Sequence, residues 1–189
     1  MTSGYEGDSL STNEAPSLRV PPGETVLLSP ESDRFKGRYR TVEPRTAQEL
    51  RGLVGLSEEG AAAAREAGVC CRPVDLVGLI PSPGDLDSED EGVRGSAFDV
   101  VGRALRAYLR SPTPKQFVLM EPAIGRFLEL MEVTVNLVTL NDIHIADGAT
   151  LTISTNTHLL EANRVVIEGT GKIDGSGYMK LKVTSIEGI

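Results

Sequence analysis

The side chains best suited to hold a metal or move a proton near neutral pH are His144 and His158. Each is followed three residues later by an acid, Asp147 and Glu161. Imidazole with carboxylate suits zinc, but no third and fourth ligand stands at a matching spacing, so the set reads as solvated side chains on equivalent strand positions. The only two cysteines, Cys70 and Cys71, are adjacent. A vicinal disulfide strains the peptide between its cysteines, so the pair reads as free thiols in a reducing, cytoplasmic compartment. Asp85, Asp87 and Glu89 alternate as in a calcium-binding loop, but Asp90 and Ser96 occupy the places where that loop needs Gly and Glu. Lys172 follows Gly169-Thr170-Gly171 and precedes Ile173, where a phosphate loop needs Ser or Thr. Arg34, Lys36, Arg38 and Arg40 form the most basic patch and read as a solvated stretch. No catalytic, cofactor or metal residue is assigned on this reading.

The elements that must carry these groups divide the chain into a mobile arm over residues 1–45, a helical hairpin over 46–80, an acidic linker over 81–95, a helical region over 96–132 and a β-rich module over 133–189. The arm is Ser, Gly, Glu, Pro and Thr with few large apolar residues, too few to offset the entropy of ordering. Glu24 to Leu28 is its one apolar run, an edge strand at most. Thr46 and Glu49 form a capping box, Gly55 breaks that helix, and Ser57 caps the next. Residues 46–68 resemble the helix-turn-helix DNA-binding family at Leu50, Gly55, Leu56 and Ser57. The second helix of that pair carries Glu58, Glu59 and an alanine run, poor chemistry for phosphates or base edges, so a packed helical hairpin is the expected role. Pro, Gly and a run of acids mark 81–95 as an exposed spacer. Ser96 with Asp99 caps a helix whose apolar face runs through Ala97, Val100, Val101, Ala104, Leu105, Tyr108 and Leu109, and after Pro112 and Pro114 a second helical stretch is interrupted at Pro122 and continues through Ile124, Phe127, Leu128 and Met131.

From Val133 the period changes to two, with Gly or Asn recurring between short apolar runs, so the chain enters strands. A shift of fourteen residues aligns His144 to Ile153 with His158 to Ile167. Short repeated strands with similar inward residues predict a β-solenoid, in which each coil buries its face against the next, with a small β-meander or half of a sandwich as the competing fold. The expected fold class is therefore α+β, with a mobile arm, a small helical region and a short solenoid-like C-terminal module.

The phrase Ile167-Glu-Gly169-Thr-Gly171-Lys-Ile173-Asp174-Gly175-Ser-Gly177 resembles the early coils of pectin-lyase-like right-handed parallel β-helices, polygalacturonases among them. The resemblance is carried by Asn163 to Leu181, covers about 45 residues and implies a scaffold: glycines at corners, isoleucines inside the coil. It carries over no catalytic aspartate.

Composition narrows the partners. The 189 residues carry a net charge of -8, which argues against nucleic acid, since phosphate binding rests on a basic footprint. Nothing in the sequence has the length of a membrane span. Aromatics make up 4% with no Trp, leaving few platforms for sugar stacking. The expected function is a non-catalytic structural or protein-interaction role, with self-association through the β-module or a protein partner. A carbohydrate-active or glycan-binding β-helix protein and a helix-turn-helix DNA-binding regulator are the alternatives.

Overall fold

A computed structural model describes residues 15–67, 80–112, 114–175 and 180–189. The chain forms a mixed α+β structure in two units, one of residues up to Thr41 together with Asn136–Ile189, the other of Val42–Val135.

Eight strands follow the chain: β1 (Leu18–Val20), β2 (Thr25–Leu28), β3 (Tyr39–Val42), β4 (Val135–Ile145), β5 (Thr150–Ile153), β6 (Leu159–Ile167), β7 (Lys172–Gly175) and β8 (Lys180–Gly188). They make two sheets. One has the order β1-β4-β6-β8 with β3 also on β4, and the other has the order β2-β5-β7. Every pairing along those two orders is parallel, so the chain passes from long strand to short strand and back, and like positions lie level. Leu18, Ile143, Val165 and Ile186 share one level, as do Val26, Leu151 and Ile173. Level apolar side chains stack into the core of this unit, where Leu28, Phe35, Ile143, Ile145, Leu151 and Leu160 are fully buried. At about 25 cal/mol per Å² of apolar surface, such stacks are the main favourable term here.

The long strands bend once. Val138 and Leu140 point inward, then Ile143 and Ile145 do; on β6 the inward residues are Leu160 and Ala162, then Val165. Alternation cannot place both Leu140 and Ile143 inside unless the side-chain period slips by one residue between them. The slip falls at Asn141 and Asn163, the positions missing from an otherwise continuous register.

Corners between long and short strands are four-residue turns closed by Glu24 N–H to Pro21 O, Ala149 N–H to Ala146 O and Gly171 N–H to Glu168 O. Each carries a glycine with positive φ: Gly23, Gly148 and Gly169. Gly169 is the tightest, since a Cβ there would lie 2.3 Å from Asp147 Oδ1. Gly169 and Gly171 thus sit at a corner, Ile167 and Ile173 pack against the core, and Gly175 ends β7.

The helical unit contains α1 (Ala47–Val54), α2 (Glu58–Glu66), α3 (Pro83–Leu86), α4 (Glu91–Arg110), a 3-10 stretch Pro114–Met120 and α5 (Glu121–Leu130). Caps form where the sequence places them for α1 and α2. Thr46 Oγ1 accepts from Glu49 N–H at 3.1 Å, Glu49 in turn accepts from Arg45 N–H at 2.8 Å, and Ser57 Oγ accepts from Gly60 N–H at 3.1 Å. Ala47 and Leu50 of α1 share a core with Val101, Leu105 and Tyr108 of α4 and with Ile124 and Leu128 of α5.

Several expectations are corrected. Residues 18–42, expected in the mobile arm, form β1, β2 and β3, because their few apolar side chains pack into a core supplied by residues beyond 135. The acidic stretch 81–95 is helical rather than a spacer. Ser82 N–H and Oγ donate to Asp85 at 2.7 and 2.9 Å in α3, and Asp90 is the N-cap of α4, accepting from Gly92 and Val93 N–H. The α4 start lies at Asp90 instead of Ser96, since carboxylates satisfy the first free N–H groups well and favour the positive end of the helix dipole. The repeat of fourteen residues is not the structural period: level partners are Ile143 and Val165, or Leu151 and Ile173, twenty-two apart.

Arg51 fastens the end of α4. Its guanidinium, buried on α1, donates to the carbonyls of Tyr108 and Ser111, the latter at 2.8 Å, and lies 5.2 Å from the Tyr108 ring centroid. One planar fork thus meets two carbonyls at the helix end, that of Tyr108 being shared with the Ser111 N–H. Replacing Arg51 by Lys loses the fork and should cost about 2 kcal/mol in urea denaturation of the full chain. An unchanged midpoint would contradict this role.

Candidate functional site

The sheets separate most of the groups that the sequence spacing brings together. His144 lies near the end of β4, level with Val166, whereas His158 lies beside Asn136 at the start of β4 and donates its N–H to the Asn136 carbonyl. The two rings do not face each other. His144 Nε2 meets Glu168 Oε1 at 2.7 Å, and His158 Nδ1 accepts the Asn136 N–H at 3.0 Å. Asp147 Oδ1 accepts from Thr170 N–H at 2.7 Å and Thr170 Oγ1 at 2.9 Å, which holds its carboxyl below the usual carboxylate range. Glu161 takes Lys182 Nζ at 3.0 Å. Each of these four side chains thus has a protein partner, and among the described residues no three His, Cys, Asp or Glu side chains gather for a metal ion.

The other candidates resolve similarly. Asp87 accepts from Arg126 through both oxygens, at 2.6 and 2.9 Å, so the alternating acids pair and cap within the helical unit instead of forming a calcium loop. Lys172 opens strand β7, with no helix dipole behind it. Arg34 and Arg38 lie with their guanidinium carbons 5.4 and 5.9 Å from the ring centroid of buried Phe35. Their charge rests against a ring face, worth about 0.5–1 kcal/mol at an exposed site. Cys70 and Cys71 lie outside the described residues. An open cleft in the helical unit is lined by Glu43, Arg45, Leu128, Glu129, Glu132 and Val133, and its charged side chains are all exposed.

What the sheets bring together instead is a set of charge pairs across neighbouring long strands. They are His144 with Glu168, Glu161 with Lys182, and Arg164 with Glu187, whose Nε to Oε1 distance is 3.0 Å. Pairs this exposed are worth about 0–1 kcal/mol each. They tie up the carboxylates that a hydrolytic reading would need free to face one groove.

The final apolar residues, Ser185 to Ile189, lie on or beside the edge strand β8. This nine-residue strand is the outer member of its sheet among the described residues. Ile186 continues a stack whose other members, Leu18, Ile143 and Val165, are at most 3% exposed, yet it is itself 62% exposed. The one available signal was Val183 and Ile186 three apart in a strand otherwise of period two.

The chain matches no family model, and comparison with curated proteins and solved structures finds no similar chain. No helix among the described residues is long and apolar enough to cross a membrane.

His158 makes the β unit sensitive to acid. Burial lowers its pKa below the ordinary 6.5, and Nδ1 can accept the Asn136 N–H only when unprotonated. With the folded pKa depressed, the unfolded chain takes the proton first as pH falls, so stability is lost below about pH 6.5. A His158→Gln variant, whose amide oxygen can accept the same N–H, should lose less stability than the wild type between about pH 7.5 and 5.5 in urea titrations. Equal losses would contradict the assignment.

Proposed function

We propose that this is a non-catalytic structural or protein-interaction protein whose β unit is a short parallel solenoid that associates with further copies through its open end. The observation that carries the reading is the Leu18, Ile143, Val165 and Ile186 stack, fully covered on three levels and open on the fourth. An apolar stack with one open level and an unpaired strand edge gains by being covered. A return to the same level every twenty-one or twenty-two residues, with a glycine at each of the corners β1–β2, β4–β5 and β6–β7, supports the coil reading. So does the position of the Ile167 to Gly175 phrase, which resembles pectin-lyase-like coils and here lies at a corner beside the core. A second copy or another protein is the partner on this reading. The cross-strand pairing of Glu161, Glu168 and Glu187 weighs against the carbohydrate-active alternative. A reducing, cytoplasmic setting belongs to the same proposal and rests on the adjacency of Cys70 and Cys71.

Light scattering of the full chain over a wide concentration series, followed by negative-stain microscopy, tests the proposal. Average mass rising with concentration is the expected result. A monomer at every concentration would overturn self-association and leave a different protein as the partner to be sought.

A further inference from the structure

We infer that β8 pairs antiparallel with β8 of a second copy about a two-fold axis between Thr184 and Ser185. The inference rests on the self-association proposed above and names the surface and register. A two-fold interface requires a surface complementary to itself, and β8 has that property along its own sequence. Lys182-Val183-Thr184 and Ser185-Ile186-Glu187 are mirror complements: Thr184 meets Ser185, Val183 meets Ile186, and Lys182 meets Glu187.

The backbone agrees with this register. Lys180 N–H donates to His158 O, and Ile189 N–H donates to Ile167 O, so both residues turn their hydrogen-bonding groups toward β6. Alternate residues along a parallel strand face opposite neighbours. Two residues nine apart can both face β6 only if the alternation slips once, and the missing register position at Thr184, level with Asn163, locates the slip. Counting inward from each end, Leu181, Val183, Ile186 and Gly188 face the open edge. An axis between Thr184 and Ser185 sets Val183 opposite Ile186 and Leu181 opposite Gly188, so that edge-facing groups meet edge-facing groups, as an antiparallel ladder requires.

The side chains agree as well. Leu181 and Val183 pack against the core, and Ile186 lies level with core residue Val165, so the opposed apolar residues share the core face. Lys182 and Glu187 lie on the outer face, where Lys182 already meets Glu161 and Glu187 already meets Arg164. Pairing extends these into a string of alternating sign, Glu161, Lys182, then Glu187 and Arg164 of the second copy, repeated twice by symmetry. No proline interrupts β8, whereas Pro16, Pro21 and Pro22 flank β1 at the opposite end of the same sheet. Edge prolines discourage strand addition, which directs the contact to β8.

The test uses the full chain and sedimentation equilibrium on four samples: wild type, Lys182→Glu, Glu187→Lys, and an equal mixture of the two variants. Each reversal places like charges opposite each other twice per dimer and should weaken the dimer Kd by roughly tenfold or more. The mixture restores opposite charges at both positions and should recover the wild-type mass. Ile186→Lys provides an independent check, because an exposed edge position tolerates the change in the monomer. It should abolish the dimer while leaving the circular dichroism spectrum unchanged. A wild-type assembly that survives all three substitutions would overturn the β8 contact and leave self-association standing through another surface. A wild type that stays monomeric throughout would overturn both.

Discussion

Parallel pairing across the long insertion sets the terms for the whole β unit. A parallel strand cannot reach its neighbour through a tight turn, and here β1 and β2 precede the helical segment while β4 and β5 follow it. Ala146 N–H finds Val20 O, Thr150 N–H finds Glu24 O, and Ser154 N–H finds Leu28 O. Without those carbonyls, the first side of β4 and β5 would present unpaired backbone and an uncovered apolar stack. The opposite side, at β8, presents just such an uncovered level. The apolar stack is covered at the β1 end by residues from far away in sequence, and among the described residues it is open at β8. The proposed role follows from that asymmetry.

The outer face of the long strands is organised by the same register. The register brings charges on adjacent strands together, level for Glu161 and Lys182 and diagonally for the other two pairs, so Glu161, Glu168 and Glu187 each acquire a cationic or imidazole partner. Such pairs add little stability at the surface, but they fix the sign of each outward position. On β8 that leaves Lys182 and Glu187 on either side of the bend, a pattern that favours one pairing register over its neighbours, since a slip by one residue would set inward side chains against outward ones.

Local chemistry was legible in the sequence and long-range register was not. The caps at Thr46 and Ser57, the break at Gly55 and the switch to period two after Val133 depend on neighbours within a few residues, and each is found in place. The α4 start was missed because Ser96 with Asp99 satisfies the same capping pattern as Asp90, and only the first free N–H groups decide between them. Leu18 to Val20 is too short to register as a strand, Glu24 to Leu28 registers as an edge strand at most, and the partners of both stand more than a hundred residues away. The shift of fourteen residues aligned the end of β4, a corner and β5 with β6 alone. Inward aliphatic residues recur on every side of the turn, so different sides superpose by sequence. The equivalence of His144 and His158 fell with that shift. The exposed Ile186 was invisible for a related reason: its exposure depends on which strand ends the sheet.

Amide hydrogen exchange followed by NMR tests the closing of the β unit most directly. If β1 and β2 pair with β4 and β5 across the insertion, the amides of Ala146, Thr150 and Ser154 exchange as slowly as those of Glu168 and Lys172, which donate to Ile145 and Ala149 carbonyls in the middle of the sheets. Fast exchange at Ala146, Thr150 and Ser154 beside protected Glu168 and Lys172 would mean that residues 18–28 do not cover that edge, and the account of a unit closed at one end and open at the other would be wrong.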